Sequence, residues 1–148
     1  MIVLTLGTNL GNRSNNLIIA REKLSRRIGA EVEIEYSEIL ETKAIGFNGN
    51  DFLNQIAAFE SNIEPEKMLD ICQSIEIEMG RKKHVAQYDK YGNRIFENRI
   101  IDIDILLYND CTIKSDRLTV PHPQVYQRPF IIELFNTLPQ ETRNRINI

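Results

Sequence analysis

The chain of 148 residues is poor in everything that would hold a protein together other than ordinary packing. Its two cysteines, Cys72 and Cys111, fit neither a disulfide framework nor a metal cluster. Seven glycines and five prolines are too few for a linker or a low-complexity chain. The longest apolar runs are about five residues, far short of the roughly twenty that a membrane-spanning helix needs. Met1 to Asn9 lacks both the charged start and the long apolar stretch of a secretory signal. Positive charge is not in excess: the net charge is −3 and the pI is near 5.5, which argues against bulk capture of nucleic acid or an anionic membrane. No repeat recurs at solenoid spacing, and no G-x-x-x-x-G-K-[ST] cradle is present, so any nucleotide must bind without a P-loop. A chain of this length buries about 68–70% of its unfolded surface, enough to fold without staples. The expectation is a single domain over 1–148, monomeric and cytoplasmic, with no nucleic-acid or membrane partner.

Within that frame the hydrophobic pattern is regular. Ile2 to Leu6 is continuously apolar, as in a strand buried on both faces. Leu17, Ala20, Leu24 and Ile28 follow helical spacing and stop at Gly29. Val32, Ile34 and Tyr36 alternate with glutamates, predicting a half-exposed strand. Residues 42–51 have loop composition, and Phe52 to Phe59 returns to strand. Pro65 suits the first turn of a helix whose apolar stripe is Met68, Cys72, Ile75 and Met79. A long polar loop over 81–99 precedes a strand marked by Ile101, Ile103, Ile105 and Leu107. The order strand–helix–strand–strand–helix–strand predicts an α+β, ferredoxin-like βαββαβ sandwich with helices on one sheet face, followed by a C-terminal extension with Pro121, Pro123 and a short helix begun at Pro129. A fold of that type hosts many functions and decides no chemistry.

Asp102-Ile103-Asp104 is the sharpest chemical feature. On a strand, residues two apart share a face, so both carboxylates point one way and could bracket hard cations. An exposed acidic face is the bland alternative, but aspartate is depleted in strands and like charges repel. The apolar residues alternating with this pair suggest a central strand, where such a choice is costly. The 81–99 loop carries a net charge of +4, from Arg81, Lys82, Lys83, Lys90, Arg94 and Arg99 against Asp89 and Glu97. Set before an acidic strand, it reads as a polyphosphate clamp over Mg²⁺, or else as a solvated loop. Loops this long inside compact domains are often functional lids. In Val120-Pro121-His122-Pro123 the prolines restrict the backbone around a histidine that either donates to phosphate or caps a turn. Asn54 within an apolar strand and Glu76 beside an apolar stripe are more often structural than ligating.

Taken together, Leu6-Gly7-Thr8-Asn9-Leu10-Gly11, Phe52-Leu53-Asn54, Glu76 through Arg81, Arg99 through Leu106 and Leu118 through Pro123 stand in the order and spacing of one family. Over roughly residues 2–138 the chain resembles 6-hydroxymethyl-7,8-dihydropterin pyrophosphokinase. The resemblance implies a ferredoxin-like enzyme of folate biosynthesis. Such an enzyme moves the terminal two phosphates of ATP, as one group, to the pterin hydroxymethyl oxygen and releases AMP. It implies Asp102 and Asp104 as ligands of two Mg²⁺ ions, with Arg81 and Arg99 as catalytic arginines. ATP would also meet Glu76, Lys83, Ile105, Arg117, Thr119, His122 and Arg128. Thr42, Ile45, Phe52, Asn54, Phe96 and Phe130 would line the pterin pocket, with Phe52 and Phe130 stacking on opposite faces of the ring.

This sequence departs from the family pattern in several places. Lys83 stands where arginine is common, Lys43 and Ala44 where prolines are frequent, Phe96 where tryptophan is usual, and Asn98 in place of a small residue or proline before Arg99. None of these touches the aspartate pair. The competing reading is a non-catalytic ferredoxin-like ligand-sensing module, which would not need paired strand carboxylates facing a basic loop. An RNA-binding version would show an aromatic-rich R/K-G-F/Y-G/A-F motif, and the sequence has none.

Overall fold

The computed structural model describes residues 1–44, 48–81, 87–88, 90–92, 94–95 and 98–146, with 87–88 and 94–95 described by backbone alone. The elements run β1 (Ile2–Thr8), α1 (Arg13–Ile28), β2 (Glu35–Tyr36), β3 (Leu40–Thr42), β4 (Phe52–Phe59), α2 (Pro65–Glu78), β5 (Gln87–Tyr88), β6 (Arg94–Ile95), β7 (Asp102–Tyr108), β8 (Ile113–Lys114), β9 (Thr119–Val120), α3 (Pro129–Phe135) and α4 (Gln140–Asn144). This is an α+β protein.

The main sheet has the order β2–β4–β1–β7, with β3 also paired to β4. The β1–β4, β1–β7, β2–β4 and β3–β4 pairings are all antiparallel. β1 is central and every one of its seven residues is buried, in line with its unbroken apolar run. Alternation along it feeds two cores. Ile2, Leu4 and Leu6 pack with Leu17, Ala20 and Leu24 of α1 and with Met68, Cys72 and Ile75 of α2. Val3 packs instead with Ile56, Ala58, Val125, Ile131, Leu134, Leu138 and Ile146. Helices therefore lie on both sheet faces. The C-terminal extension carries the short helix expected from Pro129, as α3, and covers the second face, where no helix was expected.

Three further expectations change. The strand foreseen around Val32–Tyr36 is only Glu35–Tyr36, and a second short strand follows at Leu40–Thr42. Ser37 causes the break: its Oγ accepts from the Ile56 N–H and its carbonyl accepts from Gln55 Nε2, so side chains take over where the ladder stops. The 81–99 stretch contains a short antiparallel ribbon, Gln87–Tyr88 against Arg94–Ile95. β7 is an outer strand of the sheet, not a central one. Its outer edge meets the chain after β9, where the His122 N–H donates to the Leu106 carbonyl at 2.9 Å.

Candidate active site

Register places the chemistry. Gly7 of β1 is opposite Asn54 of β4 on one side and Asp102 of β7 on the other. Asn54 is in turn opposite Leu40, while Thr5 pairs with both Ile56 and Asp104. Directly opposed residues of paired strands share a face. Phe52, Asn54, Gly7, Asp102 and Asp104 therefore occupy the face of Val3 and Ile56, the one covered further along by α3 and the chain after it. α1 and α2 lie on the other side.

Gly7 keeps this row open. A Cβ there would meet Asn54 Oδ1 at 3.5 Å and Phe52 Cδ1 at 3.6 Å, so the ring and the carboxamide oxygen both lean over the bare backbone. Asn54 is buried, and its Nδ2 donates to Thr42 Oγ1 at 2.8 Å and the Leu40 carbonyl at 3.3 Å. Both donors are spent within the protein, and the oxygen is what Asn54 turns toward Gly7. What the Asn54 amide has left to offer a ligand is the acceptor.

The acidic side is built by the end of α2. Gly80, at φ +117°, takes a backbone conformation that side chains rarely adopt, and a Cβ there would meet Ile100 Cδ1 at 2.9 Å. That turn folds Arg81 back on the helix it leaves: its N–H donates to the Glu76 carbonyl at 3.0 Å and its Nη1 to Glu76 Oε2 at 2.7 Å. The Glu76 side chain is fully buried, and Oε2 also accepts from the Ile103 N–H. Glu76 thus ties α2 to β7 and aims Arg81. Arg81 Nη1 reaches Asp102 Oδ1 at 3.2 Å, and Arg99 Nη1 reaches the same oxygen at 2.9 Å.

Asp104 is in a different electrostatic position. Burial, then the Asp102 charge and more weakly Glu76, push its carboxyl up to about 7, against the opposing pull of Arg128 and Arg99. Two hard carboxylates on one strand face, one held up by the other's charge, form a donor set that suits Mg²⁺. Among the described residues no third histidine, cysteine or carboxylate joins them as a ligand cluster.

His122 lies at the rim and is held neutral. Burial and Arg128 lower its pKa, against the opposing charge of Asp102. Its Nδ1 accepts from the Gln124 N–H at 3.1 Å, which leaves the proton on Nε2 as a donor. Arg128 is the residue before α3, and Phe130 sits on its first turn, half-buried against the second core.

The other residues expected at ATP have partners or settings of their own in the chain. The Arg117 guanidinium is taken up by Glu66 and Asp70 of α2 at 2.9 and 2.6 Å. Thr119 is exposed on β9, paired with Lys114. The Ile105 side chain is 3% exposed and belongs to the core beneath α1 and α2. Lys83, Ile45 and Phe96 lie outside the described residues. Residues that sequence reasoning passed over are Asn9 and Asn50, which join Asn98 in a hydrogen-bonded cluster beside Arg99. Asn9 stood in the Leu6–Gly11 motif directly after a buried strand and Asn50 in the 42–51 loop, and asparagine in either place reads equally as a loop residue.

Comparison with known proteins gives this arrangement its context. The family model described as 7,8-dihydro-6-hydroxymethylpterin-pyrophosphokinase matches residues 3–139. The chain is 38% identical over 133 residues to a 2-amino-4-hydroxy-6-hydroxymethyldihydropteridine pyrophosphokinase of Porphyromonas gingivalis, covering 88% of this chain and 85% of that one. It is 37% identical to the Aquifex aeolicus protein of that name (88% and 75% covered) and 33% identical to the Bacillus subtilis one (87% and 72%). The residues of this sheet-face site lie inside the matched span, and the chain belongs to the 7,8-dihydro-6-hydroxymethylpterin-pyrophosphokinase family.

Proposed function

We propose that the sheet face around Gly7 is where this enzyme brings its two substrates together, the pterin on the Asn54 side and the triphosphate on the Asp102 side. As a member of its family the chain is an ATP-dependent pyrophosphokinase. It transfers pyrophosphate from ATP to the hydroxymethyl group of 6-hydroxymethyl-7,8-dihydropterin in folate biosynthesis. The observation that carries the placement is the row Asn54–Gly7–Asp102. Two strand spacings, about 10 Å, separate its ends, room for a flat ring to lie beside a phosphate chain.

The chemistry asks for positioning and charge neutralisation more than for covalent work. The pterin hydroxyl oxygen bonds to the β-phosphorus while the bond from that phosphorus to the α,β-bridging oxygen breaks. The hydroxyl proton leaves to solvent, and AMP departs with the bridging oxygen. Asp102 and Asp104 would hold Mg²⁺, in the fullest reading two ions, which supplies Lewis-acid neutralisation of the phosphate oxygens. Arg81 and Arg99 present guanidinium forks where charge builds on the departing AMP. His122 offers Nε2–H to a phosphate oxygen, and Arg128 adds a positive charge beside Asp104. Phe52 and Phe130 stack on the pterin, and the Asn54 oxygen accepts from a donor on its edge.

The sheet order and the two helices on one face support a ferredoxin-like βαββαβ core within this α+β protein. A non-catalytic sensing module is not favoured, because membership of a transferase family meets a carboxylate pair backed by two arginines. The deciding assay incubates the protein with Mg-ATP and the hydroxymethyl pterin and separates the nucleotides. AMP formed in step with pterin diphosphate is expected. ADP, or no turnover, would overturn the reading.

A further inference from the structure

Three segments reach the cleft from distant parts of the chain and meet in one cluster of asparagines. Asn9, just past β1, is 1% exposed. Its Nδ2 donates to the Asn50 carbonyl at 3.1 Å and to Asn98 Oδ1 at 2.9 Å. Its Oδ1 accepts from the Arg99 N–H at 2.6 Å, and its own N–H donates to the Arg99 carbonyl at 2.9 Å. Asn50 Nδ2 returns a bond to the Asn9 carbonyl at 3.1 Å, and the Asn50 N–H donates to Asn98 Oδ1, also at 3.1 Å.

The work divides unevenly. Asn9 holds the Arg99 backbone by two bonds in which the Asn98 side chain takes no part. Asn98 Oδ1 takes one donor from Asn9 and one from Asn50, and so reinforces the two direct Asn9–Asn50 bonds that hold the segment leading into Phe52 and Asn54 to the strand end leading out of Gly7. We propose that Asn98 is a positioning residue for the pyrophosphoryl transfer, fixing the pterin side of the cleft through its carboxamide oxygen while leaving the arginine side to Asn9. The proposal rests on the reading of Phe52 and Asn54 as the pterin side.

Only the acceptor oxygen of Asn98 is used in these bonds. Aspartate carries the same oxygen in the same place, and alanine carries none. Two lost hydrogen bonds at a solvent-exposed position set the scale of the effect near the lower end of the usual range per bond.

The test is steady-state kinetics of Asn98→Ala, Asn98→Asp, Asn9→Ala and Phe52→Ala, with melting temperatures measured alongside. Asn98→Ala is expected to raise KM for the pterin about 5- to 10-fold, with KM for ATP and kcat within about twofold. Asn98→Asp is expected to restore most of that loss. Asn9→Ala is expected to lower kcat as well, because it releases Arg99. An unchanged pterin KM in Asn98→Ala while Phe52→Ala raises it would overturn the role of Asn98 and keep the pocket. If neither substitution moves the pterin KM, the pocket reading fails and the proposal falls with it. Equal defects in the alanine and aspartate variants would overturn the acceptor role. A uniform fall of kcat with melting temperature would show a structural role only.

Discussion

Asn54 and Asp102 stand two strands apart in a single cross-strand row, joined through the bare backbone of Gly7. One end offers a carboxamide oxygen and the other a carboxylate held by two arginines. A residue without a side chain between them is what makes the row a floor instead of a wall.

Gly7→Ala tests that floor. A methyl group there makes ordinary contacts at 3.5 and 3.6 Å, so folding stability should stay within about 0.5 kcal/mol or rise slightly, since glycine within a strand costs entropy. The pterin KM should rise severalfold as the methyl lifts the ring from the sheet. Chemical denaturation and steady-state kinetics check the two halves, and a large stability loss with normal kinetics would refute both.

Asp102→Asn and Asp104→Asn should each reduce kcat at least a hundredfold in Mg-ATP while the protein stays folded by circular dichroism. Hard oxygen ligands on one strand face are the reason. Near-normal turnover in either variant would remove the metal assignment.

The same pair makes stability depend on pH. The Asp104 carboxyl sits near 7 in the folded protein and near its ordinary 3.8 when unfolded. Between those values the folded state binds the extra proton, so metal-free protein should lose stability as pH rises from about 4 to 7, with the loss complete above 7. Asp104→Asn escapes that loss. In EDTA it should raise the melting temperature more at pH 8 than at pH 5, and a gain that is equal or reversed between the two would contradict the raised carboxyl.

Arg81 and Arg99 share an oxygen of Asp102 but not their other duties. Arg81 also serves the fully buried Glu76, so Arg81→Ala takes the arginine partner from a buried carboxylate and should cost about 3 kcal/mol in urea denaturation. Arg99→Ala, which leaves Glu76 served, should cost less than half as much. Both should impair turnover. Equal stability losses would show that Glu76 does not depend on Arg81.

Much of this was readable in the sequence wherever one periodicity dominated. The body and end of α1 follow from the helical spacing of Leu17 to Ile28 and the stop at Gly29, β4 has the span read as Phe52–Phe59, and Pro65 opens α2 as its fixed φ predicts. The aspartate pair was visible because strand alternation alone puts both carboxylates on one face. What tertiary structure decided was not visible. Ser37 breaks a strand by offering its hydroxyl to a neighbour that no local pattern reveals. The apolar residues beside Asp102 suggested a central strand, yet β7 is outer, because its far side is served by a turn instead of a strand. The short helix begun at Pro129 was legible, but not that Ile131, Leu134 and Leu138 would close the second sheet face.

That outer position of β7 has a consequence in crowded solution. A rim of bare amides and carbonyls is where sheets of separate molecules zip together into polymers. Here the main chain of His122 occupies part of the rim by bonding Leu106. The contact is made by backbone, so exchanging the imidazole for another side chain leaves the guard in place. Chemistry at this position is therefore free to vary without exposing the molecule to self-association, whereas deletion of the turn is not. A shortened chain lacking the 115–123 turn should form thioflavin-positive aggregates under conditions in which His122→Ala stays monodisperse.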